Sequence, residues 1–253
     1  MKTMLHLFLS LSLVLAAAGC TGGKKEAIKE EQAPVVPDTG YTGIKQYKSG
    51  MYTVSEVTFK NGVRHGLMKT FYQGGQLRYT FWYENGLRQD SARWYFLEGQ
   101  LFRTTPYKND TVDGIQKQYY RTGKLRAEIG FSKGMRIPYI REYTADGRLM
   151  GSYPEIVINV NDRYAGEGLY RVNLSLSDNG EKVTFYRGDF TDGRFDTTIV
   201  KAIKTTKGKA SVDLKKGQGE GLSSLSVIAE ILTPLGNKYL TGKKIELPYN
   251  DLK

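Results

Sequence analysis

Apolar and polar residues alternate through much of the chain between residues 59 and 153, and the alternation recurs with a fixed period. From Leu77 to Tyr83, for example, every second residue is leucine, tyrosine or phenylalanine. Side chains of a strand point alternately to two faces, whereas a helix places its apolar residues three or four positions apart. The pattern therefore predicts strands in this region.

The period is 24 residues, and four independent columns of residues follow it. One column is glycine, one is leucine and two are aromatic. Their members are Gly75, Gly99, Gly123 and Gly147; Leu77, Leu101, Leu125 and Leu149; Phe59, Tyr83, Tyr107 and Phe131; and Phe71, Tyr95, Tyr119 and Tyr143. Repeats of this length bury their apolar faces only against neighbouring repeats.

Two kinds of turn separate the predicted strands. The glycine column predicts three-residue turns with a glycine in the left-handed conformation. The second kind is a two-residue turn in which both residues need a positive φ, the conformation that Asn-Gly prefers. Its members are Asn61-Gly62, Asn85-Gly86, Asn109-Asp110 and Lys133-Gly134. Each unit is therefore predicted to be one hairpin, and the array a long antiparallel meander.

The units follow the pattern Asn-Gly-x-x-x-Gly, then an aromatic residue, then x-x-Gly-x-Leu and another aromatic residue. This pattern resembles the MORN repeat variant of bacterial proteins. Such proteins are often labelled YwqK-family antitoxin-like. In the first unit the match consists of Asn61-Gly62, Gly66, Phe71, Gly75, Leu77 and Tyr83. The departures are Asp90 and Pro138, which replace the glycine found at Gly66 and Gly114, and Asp110 in a turn. The resemblance implies a binding or scaffold module with membrane or protein partners.

The N-terminus has the features of an export signal. A positive start with Lys2 precedes an apolar run from Leu5 to Ala18, which ends before Cys20. Small residues before a cysteine at this place resemble a bacterial lipobox, with Ala17 as a tolerated departure. The resemblance implies cleavage after residue 19 and lipid on the sulfur and amine of Cys20. An ordinary signal peptide cut nearby and a buried apolar helix are the alternatives.

Cys20 is the only cysteine of the 253-residue chain, which excludes an internal disulfide and a thiolate metal site. Residues 20–40 are rich in charge, glycine and proline, so they are predicted to be a disordered tether. Thr21 is not the aspartate that marks inner-membrane retention in some lipoproteins. A lipid-anchored protein of the cell envelope is therefore expected, and an outer-membrane address is favoured over the inner membrane.

Positive charge concentrates in residues 41–153, the predicted array. This segment has 18 lysines and arginines against 9 acidic residues, a net charge of +9, and 21 of the 30 aromatic residues. A basic ladder with the 24-residue period lies two residues before one aromatic column: Lys69, Arg93, Lys117 and Arg141. A second basic series, called the turn-side series, lies just after the tight turns and consists of Arg64, Arg88 and Arg136. Val112 occupies the remaining position of this column and interrupts the series.

These residues, with Trp82 and Trp94, are the candidate binding residues. Basic groups attract phosphate or carboxylate, and flat rings stack on sugars or cations. The predicted partner is a protein, an anionic lipid or a glycan; nucleic acid fits the charge but conflicts with export. The alternative for each residue is structural, with aromatic side chains forming the core of a thin sheet and basic side chains its solvated face.

The period ends after Tyr153, yet alternation continues in residues 154–253. About seven short strands in roughly 100 residues predict an immunoglobulin-like β-sandwich. A continuation of the meander as one twisted sheet is the alternative. The predicted fold class is thus all-β, with an antiparallel meander of MORN-like hairpins followed by a sandwich.

Few residues suggest catalysis. His65 is the only histidine after cleavage, no Gly-x-Ser-x-Gly elbow is present, and nothing indicates a cofactor or a metal. Asp189, Asp192 and Asp196 could hold calcium, but an aspartate-rich turn explains them better. The predicted function is a non-enzymatic binding or scaffold platform. The alternatives are an antitoxin-like partner of a toxin and an envelope enzyme that cleaves glycans with paired carboxylates.

Overall fold

The computed structural model describes residues 40–253, which are nearly all-β. The predicted signal peptide, Cys20 and residues 20–39 of the predicted tether lie outside the described residues. No helix within residues 40–253 has the length and apolar content to span a bilayer.

The first part of the described chain is a single sheet of ten antiparallel strands. Its strands are β1 Gly43–Ser49, β2 Tyr52–Lys60, β3 Val63–Phe71, β4 Leu77–Glu84, β5 Leu87–Tyr95, β6 Leu101–Lys108, β7 Thr111–Val112, β8 Gly114–Tyr119, β9 Leu125–Ser132 and β10 Met135–Glu142. Neighbours in sequence are neighbours in the sheet, and the short β7 pairs with β6. This is the predicted meander of hairpins.

The two-residue turns have the predicted backbone. Asn61 and Gly62 have φ values of 52° and 77°, and Lys133 and Gly134 have 49° and 81°. Asp110, which departs from the glycine of the pattern, adopts a φ of 63°. The three-residue turns are also confirmed: the Gly75 N–H donates to the Tyr72 carbonyl at 2.9 Å. Local turn chemistry therefore sets the ends of the strands in the repeated hairpins.

Bulges follow several tight turns. In the hairpin of β2 and β3, three residues around Gly66 stand opposite the single residue Thr58. Asp90 lies in the corresponding bulge of the next repeat with a φ of 57°, a left-handed conformation that aspartate tolerates better than most residues. Pro138 lies in the bulge of β10, opposite Gly130. The departures at Asp90 and Pro138 thus preserve the local fold.

Aromatic rings form the core of the array on one face of the sheet, called the core face below. Phe81 is 5% exposed and packs near the rings of Tyr79, Trp94 and Tyr107, with centroid distances of 5.4, 5.5 and 6.0 Å. The other buried members of this cluster are Val57, Phe59, Met68, Tyr83 and Ala92. Large side chains are needed because a single sheet has no second layer to cover it.

The remaining strands form two further sheets. They are β11 Ile156–Arg163, β12 Leu169–Leu176, β13 Val183–Arg187, β14 Lys201–Ile203, β15 Ala210–Lys215, β16 Ser224–Leu232 and β17 Lys238–Glu246, with one helical turn, α1 Tyr164–Glu167. The sheet orders are β11-β12-β15 and β14-β13-β16-β17. Phe185, Leu174 and Leu214 are completely buried in one core to which both sheets contribute.

This arrangement is an immunoglobulin-like sandwich in which the first, second and fifth strands form one sheet and the others form the second. The fourth strand, β14, pairs with the third rather than with the first sheet. The alternative of one continuous twisted sheet is therefore wrong. The apolar alternation along β12 and β15 arises because only one face of each sheet meets the core.

The sandwich packs against the last strand of the array through β16, β17 and the turn between them. Glu142 at the end of β10 is completely buried, and its carboxylate accepts hydrogen bonds from Thr233 Oγ1 at 2.7 Å and Asn237 Nδ2 at 2.6 Å. Arg136 forms an ion pair with Glu230 of β16. The rings of Tyr153 and Tyr239 stack with centroids 4.5 Å apart.

Candidate binding face of the repeat array

The four residues of the basic ladder lie on one straight row across the sheet. Each belongs to a different strand, and the residues between them are directly paired in register. The row runs Gln46, Glu56, Lys69, Thr80, Arg93, Thr104, Lys117, Glu128 and Arg141. The structure therefore brings the ladder together on one face, called the ladder face below, opposite the core face.

Carboxylates stand beside the ladder at both ends of this row. Lys69 Nζ lies 3.6 Å from Glu56 Oε2, and Lys117 Nζ lies 3.7 Å from Glu128 Oε1. Glu128 also pairs in register with Arg141 and accepts a hydrogen bond from the Tyr143 hydroxyl at 3.1 Å. Burial, followed by this contact with Glu128, raises the pKa of Tyr143. The positive charge at both ends is thus partly neutralised.

Arg93 has different neighbours. It is exposed and lies between Thr80 and Thr104, which carry no charge. Among the described residues, it has no hydrogen bond, ion pair or ring contact through its side chain. An arginine in this setting keeps all five N–H donors available for an incoming anion.

The two tryptophans have different surroundings. Trp82 lies two residues beyond Thr80 on β4, on the ladder face, and is 42% exposed. Trp94 lies on the core face, where the Arg103 guanidinium is 4.1 Å from its ring centroid. Trp94 thus contributes to packing, whereas Trp82 offers an exposed ring on the same face of the sheet as Arg93.

The turn-side series is part of the internal structure of the array, rather than a second free ladder. The Arg64 guanidinium lies 5.5 Å from the Tyr83 ring centroid, and the Arg88 guanidinium lies 4.4 Å from that of Tyr107. Arg88 Nε also lies 2.8 Å from Asp110 Oδ1. Burial raises the pKa of Tyr83, although nearby Arg64 opposes the shift.

Arg136, the last member of the turn-side series, joins the array to the sandwich. It is paired with Glu230, its Nη1 donates to the Lys238 carbonyl at 3.2 Å, and its guanidinium lies 5.6 Å from the Phe195 ring centroid. All three members of the turn-side series, Arg64, Arg88 and Arg136, therefore have structural partners. Their 24-residue spacing reflects repeat packing.

His65 also has a structural contact. The backbone N–H of Asn85 donates to His65 Nδ1 at 3.4 Å. In the next repeat, the N–H of Asn109 donates to Gln89 Oε1 at 3.1 Å. Histidine and glutamine thus accept the same backbone hydrogen bond at equivalent positions, which explains why histidine need not recur.

The three aspartates between β13 and β14 have separate local partners. Asp189 accepts from the Phe190 N–H at 2.8 Å, and Asp192 pairs with Arg194 at 2.8 Å. Asp196 accepts from the Thr198 hydroxyl at 2.6 Å, and this hydrogen bond lowers the pKa of Asp196. Within residues 40–253, no group of three or more histidine, cysteine or acidic residues is arranged to hold a metal ion.

Residues 64–85 and 112–133 match the MORN repeat variant. The two matches begin 48 residues apart, which is two periods of the array (112−64), and they contain Gly66 and Gly114. The neighbouring units carry Asp90 and Pro138 at those positions. Comparisons with curated proteins and with solved structures give no significant match.

The prediction from the sequence missed the residues that distinguish Arg93 from the rest of the ladder. Glu56, Thr80, Thr104 and Glu128 also recur every 24 residues, so a signal was present. Each of these four residues stands directly opposite a ladder residue on a neighbouring strand. The two glutamates therefore lie at the two ends of the row, and the two threonine hydroxyls lie on either side of Arg93 in its middle. No comparable signal marks Glu142 or Phe195, whose partners lie far away in the chain.

Proposed function

We propose that this protein is a non-enzymatic, lipid-anchored binding or scaffold protein of the cell envelope. Its MORN-like array binds a carboxylate- or phosphate-bearing partner on the ladder face. The observation that supports this most strongly is Arg93, an exposed arginine without a side-chain partner in the described chain, at the centre of a basic row. Protein, anionic lipid and glycan partners all offer such groups.

The ion pairs on either side make Arg93 the main contact for an anion. An anion that binds Lys69 or Lys117 has to compete with a carboxylate already in place, whereas one that binds Arg93 displaces only water. The guanidinium can donate two parallel hydrogen bonds to a carboxylate or phosphate. The exposed ring of Trp82 adds a flat surface for a sugar or a cationic group of the partner.

The test is crosslinking in cells followed by identification of captured partners, with Arg93→Ala compared with Lys69→Ala. Both substitutions remove one positive charge from the same row. Loss of a hydrogen bond to a charged group costs about 1.5–3 kcal/mol, so Arg93→Ala is expected to reduce capture by about tenfold. Lys69→Ala is expected to change capture by less than about twofold, because it breaks only a weak surface ion pair.

Arg93→Lys separates charge from geometry, since lysine keeps the charge but loses the planar fork. An intermediate loss of capture is expected. Equal losses for Arg93→Ala and Lys69→Ala would assign binding to net charge rather than to this site. Unchanged capture for Arg93→Ala would refute the site. Thermal unfolding of each variant checks that the fold is retained.

Anchoring at Cys20 is tested separately by fractionating cells that express the Cys20→Ala variant. If lipid on Cys20 holds the protein, the variant leaves the membrane fraction. Retention of the variant in that fraction would contradict the proposed anchor without affecting the ladder-face proposal.

A further inference from the structure

The sandwich domain contains an open cleft of about 770 Å³, separate from the ladder face. Its floor is the outer surface of the sheet formed by β11, β12 and β15. Asn159, Asn173 and Ser211 lie in one row across these strands because they are directly paired in register. Ser175 lies two residues beyond Asn173 and also lines the floor. The floor therefore presents amides and hydroxyls.

One wall of the cleft is a tight turn held in place by the fold. Thr206 and Lys209 exchange two backbone hydrogen bonds, of 2.8 and 3.0 Å. Gly208, within this turn, is buried against the neighbouring turn, so that an added Cβ would lie 2.3 Å from the Gly180 carbonyl oxygen. The wall is thus preorganised, which reduces the entropic cost of binding a ligand.

The charge of the cleft is positive. Lys204 and Lys209 are exposed, line the cleft, and form no ion pair or side-chain hydrogen bond within residues 40–253. None of the residues that line the cleft is acidic, and none is aromatic. These ammonium groups attract an anion, whereas a cation or a flat apolar ligand finds no matching group.

We propose that this cleft binds a small hydroxylated carboxylate, the chemistry of a sugar acid. The carboxylate pairs with Lys204 and Lys209, and the hydroxyls exchange hydrogen bonds with the asparagine amides and serine hydroxyls of the floor. Amides and hydroxyls both donate and accept, as sugar hydroxyls do, so each ligand hydroxyl can be satisfied. This site does not depend on the function proposed for the array.

The test is an NMR titration of the mature chain from residue 20, carrying Cys20→Ser, with sodium glucuronate. Amide shifts are followed at Asn173, Ser211 and Lys209. Saturable shifts at these residues are expected at concentrations up to about 50 mM, a range that covers millimolar affinity. Glucose, which lacks the carboxylate, is expected to bind at least about tenfold more weakly.

The double variant Lys204→Gln/Lys209→Gln is expected to raise the Kd for glucuronate at least about tenfold. Lys201→Gln is the matched control, because Lys201 is exposed on β14 but does not line the cleft. Its Kd is expected to stay within about twofold of the parent value. Absence of saturable shifts, equal binding of glucose, or equal effects of the double variant and the control would each overturn the proposal.

Discussion

The backbone N–H of Phe195 donates a hydrogen bond to the carbonyl oxygen of Arg136 at 2.8 Å, and the Arg136 guanidinium lies over the Phe195 ring. The same pair of contacts joins successive repeats. The Gly86 N–H donates to the Arg64 carbonyl at 2.8 Å, while the Arg64 guanidinium lies over the Tyr83 ring. The sandwich thus supplies the backbone donor and the aromatic ring that a further repeat would provide. It caps the array.

Phe195→Ala is expected to lower the free energy of unfolding by about 3–5 kcal/mol. Phe195 is 5% exposed and packs with Val200, Ile228 and Leu240, so its removal leaves a cavity and exposes the end of the array. Urea unfolding measures the change.

Ile199→Ala is the control for this substitution, because Ile199 lies nearby in sequence but is 58% exposed. Its effect is expected to stay within about 0.5 kcal/mol. Similar losses for the two variants would show that Phe195 is not an important cap.

The carboxylate of Glu142 is expected to matter as a hydrogen-bond acceptor more than as a charge. Glu142→Gln keeps the oxygen that accepts from Thr233 and Asn237, and its new amide can donate to the Tyr153 hydroxyl. Glu142→Ala leaves the two donors buried without this acceptor. Thermal and urea unfolding should show Glu142→Ala to be less stable than Glu142→Gln by about 1–3 kcal/mol. Equal stability would argue against this role.

The contact between the array and the sandwich is expected to weaken in acid through Glu230. Burial disfavours the charged carboxylate, but the hydrogen bond from Lys238 and the charge of Arg136 outweigh burial and lower the pKa of Glu230 below its ordinary 4.5. Because the pKa of Glu230 is lower in the folded state than in the unfolded state, its carboxylate stabilises the fold at pH values above the unfolded-state pKa. This contribution is lost as the pH falls from about 4.5 through the folded-state value.

Unfolding midpoints measured between about pH 6 and pH 3 should therefore fall less for Glu230→Gln than for the parent chain. The variant is expected to be less stable at pH 6, because Arg136 loses its charged partner. A parallel pH dependence for the two chains would rule out Glu230 as a contributor.

Gly114→Ala is expected to destabilise the array by about 1–3 kcal/mol. Gly114 has a φ of 117°, which L-residues rarely adopt, and an added Cβ would lie 3.0 Å from Pro106 Cγ. Gly151→Ala is the control, since Gly151 has no atom within 4 Å of an added Cβ. Urea unfolding compares them, and a Gly114→Ala variant as stable as the control would contradict the required conformation.

Much of the array could be predicted from the sequence because its determinants are local. Asn61-Gly62 encodes a turn without reference to distant residues, and Gly75 encodes the next. The alternation from Tyr79 to Tyr83 then assigns the core face. Periodic columns also show which residues are paired, as Glu56 and Lys69 are, once the turns set the register.

The candidate site was harder to predict because equal spacing does not imply equal surroundings. Lys69 and Arg93 occupy the same column, yet one faces a carboxylate and the other two threonines. Arg88 and Arg136 likewise share a column, but Arg136 meets the sandwich. Periodicity identifies basic residues, whereas availability for binding depends on their neighbours across strands.

The sequence by itself determined the hairpin repeat, its two turn types and the alternation that separates a core face from a polar face. These features depend on backbone preferences and on residues within a single 24-residue unit. Only the tertiary structure decided that the sandwich caps the array and that Arg136 pairs with Glu230 at this cap. Arg136 and Glu230 are 94 positions apart, and no local preference encodes a contact that exists only once the array and the sandwich have packed together.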